Sequence, residues 1–208
     1  MSTQRLAFVA PLDEDSEVEW DEDGGWCHVA TNHPFVVFAG DQRWQPIRLP
    51  ESYGDGDRAA CDWQTPDKTV VRLTLDTIVA VSHVELQGDS VKTTEATIRT
   101  SWECGSYADV LSGLVHLHML SEAQAKQELR RLAVTGPRDP DARAVEVVEA
   151  AVRDPRPKVR SAAMTVVQYL KWQEFRPSVE EVLRLDSDDV AASTVLYLLD
   201  LVRQAAGG

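Results

Sequence analysis

Over roughly the first hundred residues the apolar positions recur mostly with the period of strands; beyond Tyr107 they recur with the period of helices. Short apolar runs at 6–10, 26–30 and 35–39 are bounded by Gly, Pro and Asp and read as strands. Val71, Leu73 and Leu75 alternate with Arg72, Thr74 and Asp76, the pattern of a half-buried strand. Ile78, Ala80, Val84 and Leu86 alternate with Val79, Val81, His83 and Glu85, which reads as a central strand or as a helix capped at Asp76. Gln87-Gly88-Asp89-Ser90 is a turn signal, and the Thr-rich stretch 91–100 then reads as a returning strand that closes a hairpin. Residues 43–68, where Pro, Gly and Asp are frequent, read as a long loop with one strand at 44–49.

In the second half Val110, Leu111, Leu114, Val115 and His118 share one helical stripe. Ser121 followed by Gln124 is a capping box that opens a helix running to about Ala133. Gly136-Pro137 stops it and Asp139-Pro140 starts the next, with Val145, Val148 and Val152 facing inward. Val159, Ala162, Ala163, Val166, Val167 and Leu170 then repeat at i, i+3, i+4, i+7, i+8 and i+11. Pro177 opens a short helix through Leu185, and a last helix runs from about 189 to 204. The expected fold class is α+β: a mostly antiparallel β-domain over 1–104, then a helical domain over 105–208.

The helices repeat. Val147-Val148-Glu149-Ala150-Ala151-Val152, the turn Asp154-Pro155, then Val159-Arg160 and Ala163 resemble one HEAT-type repeat. A second copy, Val179-Glu180-Glu181-Val182-Leu183, Asp186, then Val190-Ala191-Ala192, follows at an offset of about 31 residues. It lacks the Pro and carries Ala191 where the first has Arg160. The resemblance covers about 145–203 well and 107–144 weakly. In such a repeat Pro155 would start a helix, since its missing N–H is not needed there. Arg160 would reach an aspartate in a neighbouring turn, and Ala162 and Ala163 would let helices pack closely. The resemblance implies a protein-binding stack, which in some members binds nucleic acid, on a concave face.

Charge narrows that implication. The net charge is −13, and it is unevenly placed: residues 1–105 hold 8 Lys/Arg against 19 Asp/Glu, a net of −11. An acidic surface disfavours phosphate backbones and favours a partner with a basic patch, so a protein and not nucleic acid is expected. The stretch MSTQRLAFVAPLDEDSE is too short in apolar residues for a secretory signal. No run approaches the roughly 18 apolar residues of a membrane helix, so a cytoplasmic address is expected. Cys27, Cys61 and Cys104 are odd in number and widely spaced, which indicates neither a disulfide framework nor a zinc finger.

The strongest candidate binding feature is the run Asp13, Glu14, Asp15, Glu17, Glu19, Asp21, Glu22 and Asp23, eight carboxylates in eleven residues with Trp20 among them. It reads as a docking strip for a basic partner, against the plainer alternative of a solvated edge; calcium-loop spacing is absent. Leu196 and Leu199 sit on a last helix that is apolar nearly all round, which suggests a homodimer or partner contact there. The catalytic candidates are Cys104, placed just before a helix where the dipole favours thiolate, and His83 as its base, in a small enzyme with a site between the halves. No cofactor or metal is expected: His116 and His118, two apart on a helix, would not share a face, and His118 reads as a core histidine. His28 and His33 flank a predicted strand without a third ligand. Five of six Trp lie in the first half, suiting either a core or an aromatic ligand site. The Gly-rich stretch from Tyr53 to Arg58 lacks the Lys-Ser/Thr pair of a phosphate loop. The reading is a protein-interaction module, an adaptor or an immunity-type inhibitor, with the enzyme as the alternative.

Overall fold

The computed structural model describes residues 2–8, 33–53, 58–76, 79, 81–185, 193–197, 199–200 and 203. The chain divides into two compact units, Met1–Ser106 and Tyr107–Gly208, and its class is α+β. The expected strands at 26–30 and the acidic run at 13–23 lie outside the described residues.

Over its described residues the first unit is an antiparallel sheet with two helices on one face. Strands β1 (Ser2–Phe8), β2 (Gln45–Tyr53), β3 (Arg58–Gln64), β4 (Val70–Asp76), β5 (Val81–Gly88) and β6 (Cys104–Ser106) lie in the order β2-β3-β4-β5-β1-β6. The loop expected over 43–68 is thus mostly a hairpin of β2 and β3, whose Pro46 and Pro50 lie on an edge strand, where a missing N–H is tolerated. The β4 strand and the interior place of β5 agree with the alternation of their residues. Asp76 ends β4 without capping a helix, and its carboxylate accepts the Val79 N–H at 3.3 Å.

Two expected strands are helices. Helix α1 (Pro34–Asp41) replaces the strand read at 35–39. Pro34 sits at its start, the His33 side chain caps it, and Phe35, Phe38 and Ala39 are buried at helical spacing. Helix α2 (Val91–Ser101) replaces the returning strand at 91–100, with Val91, Thr94 and Ile98 buried. Its threonines satisfy themselves locally: Thr97 and Thr100 donate to the Thr93 and Thr97 carbonyls at 3.1 and 2.7 Å. A Glu95–Arg99 pair spans one turn at 2.8 Å. Packing of Ile98 against the sheet outweighs the β preference of Thr.

The second unit is helical: α3 (Tyr107–Leu114), a 3-10 turn (Leu117–Met119), α4 (Glu122–Thr135), α5 (Ala142–Val152), α6 (Pro157–Leu170), a second 3-10 turn (Gln173–Phe175) and α7 (Arg176–Leu185). A final segment is helical over its described residues from 193 to 203. The capping box forms as spaced, with the Ser121 hydroxyl accepting from Gln124 N–H and the Gln124 amide oxygen accepting from Ser121 N–H. Two details differ from expectation. Helix α3 ends at Leu114, so Val115 and His118 leave the stripe and are exposed. Helix α6 starts at Pro157, not at Pro155, because Arg156 takes the cap position and the Asp154-Pro155 turn runs before it.

Val159, Ala163, Val166 and Val167 are each 0% exposed on α6, which packs on both α4 and α5. Val166→Asp places a charge without a partner in that contact, and we expect it to cost more than about 3 kcal/mol and to unfold the helical unit. Thermal melting followed by circular dichroism checks this; a melting point within a degree or two of wild type contradicts the packing.

Candidate functional site

Strand register decides the catalytic pair. On β1, Ala7 lies opposite His83 of β5 and Gly105 of β6, whereas position 8 lies opposite Ser82 and Cys104. Residues directly across share a face and successive residues alternate, so His83 and Cys104 are on opposite faces of the sheet. Cys104 lies in a strand, not at a helix start, and packs half-buried against the hydrophobic core. The expected dyad is not assembled within this unit.

The core face takes His33 and three of the tryptophans. Trp44 and Trp63 are buried, and Trp102 packs against the same cluster, so these three serve the core and not a ligand site. His33, 5% exposed, stacks over Trp102 with centroids 6.4 Å apart. Its Nδ1 accepts the Phe35 N–H at 3.1 Å, which leaves the proton of the neutral ring on Nε2, 3.4 Å from Ser82 Oγ. Ser82 therefore accepts from His33 and is not activated by it. Burial holds the His33 pKa down at about 4.

The opposite face carries a feature that was not legible from single strands. Arg48, Asp62, Arg72, Glu85 and Arg5 lie side by side across β2, β3, β4, β5 and β1, with signs alternating along the row. Arg72 makes a two-pronged contact with Asp62, both bonds at 2.8 Å, and Arg5 meets Glu85 at 2.9 Å. The Asp62 contact, reinforced by the charge of Glu85, raises the Arg72 pKa. Each strand shows a charged outward position in sequence, but only the register lines them up.

In the helical unit an open groove of ≈ 550 Å³ runs between the end of α3 and α5. One wall is Leu114, Val115, Leu117 and His118; the other is the outward stripe Arg143, Glu146, Val147, Ala150 and Arg153, closed at one end by Asp154-Pro155. The opposite stripe of α5, with Ala144, Val148, Ala151 and Val152, is buried in the unit. The floor is apolar, and Val115 on its rim is 52% exposed, with Met119 nearby in sequence at 74%.

The groove is braced by Arg156. Its guanidinium bonds both Asp154 carboxylate oxygens at 2.7 Å and the carbonyls of Leu120 and Leu117 at 2.5 and 3.3 Å. That contact holds the Asp154 carboxyl below the usual carboxylate range. Arg156 thus ties its turn to the one after α3 through carbonyls, and not through an aspartate of a neighbouring turn as expected of Arg160. Arg160 instead donates to the Asp154 and Pro155 carbonyls of its own turn, at 2.9 and 3.1 Å. At the other side Arg153 joins α5 to α7 through Glu181, with bonds at 3.0 and 2.6 Å.

The last helical segment corrects a further expectation. Leu199 is 1% exposed and Val195 3%, and the Leu199 carbonyl accepts from Gln173 Nε2 at 2.8 Å. Arg176 also bonds Asp200, so this segment is tied to its own unit and Leu199 is not open to a partner. Leu196 is half-buried and Tyr197 is the exposed apolar side chain there, at 61%. His118, read as a core histidine, is exposed, as is His116. His28, Trp20, Trp26 and Gly54 to Asp57 lie outside the described residues. Among the described residues no cluster of three or more His, Cys, Asp or Glu stands ready for a metal, and no helix is long and apolar enough to cross a membrane.

Comparison with protein-family models, with curated proteins and with solved structures returns no match.

His33 yields a pH test. Its folded-state pKa of about 4 lies below the ordinary histidine value of 6.5, so the unfolded chain takes up the proton first. Its contribution to stability is complete above about pH 6.5 and is lost as pH falls toward 4. His33→Asn keeps a capping acceptor but does not titrate, so the drop in melting temperature between pH 6.5 and 4 should be shallower than in wild type. Parallel curves for the two proteins would remove the histidine from the acid response.

Proposed function

We propose that this chain is a protein-binding module, an adaptor or an inhibitor, whose helical unit acts as a short HEAT-like stack. The observation that carries the reading is the groove along α5. Its outward positions Arg143, Val147 and Ala150 follow one another at spacings of four and three, the seam on which another helix packs. Val147 and the small Ala150 form its apolar centre, and charged residues flank it. The occupant proposed is an amphipathic helix of a partner protein. The net charge of −13 favours a partner whose wider surface is basic, which the run from Asp13 to Asp23 would steer toward the chain.

The test places a photo-crosslinking residue at Ala150, exposed on the groove, and at Ser161, exposed on α6, in the native host. A partner should be captured from position 150 and not from 161. With that partner purified, Ala150→Glu should weaken binding at least about tenfold without changing the melting temperature. Association should slow as salt is raised. Equal capture from both positions, or an Ala150→Glu variant that binds as wild type does, would overturn the proposal.

A further inference from the structure

We propose that His116 and His118 form a two-imidazole site for a borderline transition-metal dication such as Zn²⁺. Residues two apart on an α-helix point away from each other, which would forbid this. Here α3 has ended at Leu114, and the 3-10 turn that follows leaves both imidazoles exposed while Leu117 between them is 7% exposed and anchors the turn. The two rings already meet edge to face, at 87° with centroids 6.4 Å apart. With Zn–N bonds of about 2.0–2.1 Å, two imidazoles on one tetrahedral ion have centroids about 5 Å apart. Closing that difference takes only rotation of exposed side chains, which occurs in picoseconds to nanoseconds.

The backbone beneath the pair is held. Met119 N–H bonds the His116 carbonyl at 2.8 Å and Leu120 N–H bonds the Leu117 carbonyl at 3.2 Å. Arg156, tied to Asp154, takes the Leu117 and Leu120 carbonyls from the other side. Binding therefore orders two side chains and no backbone, which lowers its entropic cost. Of the cations near His118, Arg153 on the groove is paired with Glu181, and Arg156 beneath the turn is paired with Asp154. Among the described residues no third ligand completes a cluster, so water fills the remaining positions and the affinity is on the order of micromolar. Imidazole is the ligand that suits Zn²⁺, Cu²⁺ and Ni²⁺. Zn²⁺ is the probe of choice because it has no redox chemistry of its own.

Isothermal titration of Zn²⁺ into the full chain at pH 7.5 should show one equivalent bound in the micromolar range. Losing even an outer-shell partner of a metal costs about 10–100-fold, so His116→Ala and His118→Ala should each weaken binding at least about tenfold, and the double variant should show no such site. Both residues are exposed, and unchanged melting temperatures will exclude a folding defect. Absence of a micromolar site in wild type, or a site that survives the double substitution, would overturn the inference.

Discussion

The first unit depends on one side chain, Phe35, enclosed by four aromatic rings. Phe38, Trp44, Trp63 and Trp102 stand 5.5, 6.1, 5.9 and 5.8 Å from it, centroid to centroid, at tilted or edge-on angles. These rings come from α1, the turn after it, β3 and the residue that follows α2. Each such contact adds about 0.5–1.5 kcal/mol beyond the apolar area it buries. The cluster fixes both helices to one face of the sheet. Groups on that face, among them His33 and Cys104, are consequently committed to packing and capping. The other face keeps its charged row, and there the alternation of sign lets five neighbouring strands carry ionised side chains without like charges meeting.

In the helical unit the corresponding restraint is ionic. Arg156 and Asp154 join the turn before α6 to the 3-10 turn after α3, which are distant in sequence. A guanidinium suits this position because one planar group can satisfy a carboxylate and two carbonyls at once. The pair shapes one end of the groove and also supports the turn that carries His116 and His118. The two surfaces share a support but have different chemistry, one an apolar seam and the other a pair of nitrogen donors. The proposed helix binding and the proposed metal binding would therefore be separable by substitutions at Ala150 and at the histidines.

Residues whose environment is set by near neighbours were legible in the sequence. The capping box at Ser121 and Gln124, the buried stripe from Val159 to Val167 and the alternating strand at Val71 to Leu75 each follow from spacing alone, because one periodicity satisfied both local propensity and burial. The change of period near Tyr107 likewise marks the division of the chain into a sheet-based unit and a helical one. Spacing and cap signals were also present in α1, where Pro34, Phe35, Phe38 and Ala39 read as helix once the cap is recognised. A short apolar run taken without those signals reads equally as strand.

Tertiary structure decided what depends on register, on where a helix ends and on which face is covered. Thr-rich α2 became a helix because Ile98 had a sheet to pack against, an interaction absent from the local pattern. Opposite facing of His83 and Cys104 came from pairing across β1, and the charge row came from pairing across five strands. The difference between a helix ending at Leu114 and the expected one running through His118 took His118 off the helical stripe and left both histidines on an exposed turn. The sequence by itself determined the acidity, the fold class and most of the core, because these sum over many residues or repeat with a fixed period. The groove and the histidine pair each require particular atoms from separate segments to meet, and no periodicity within one segment encodes that meeting.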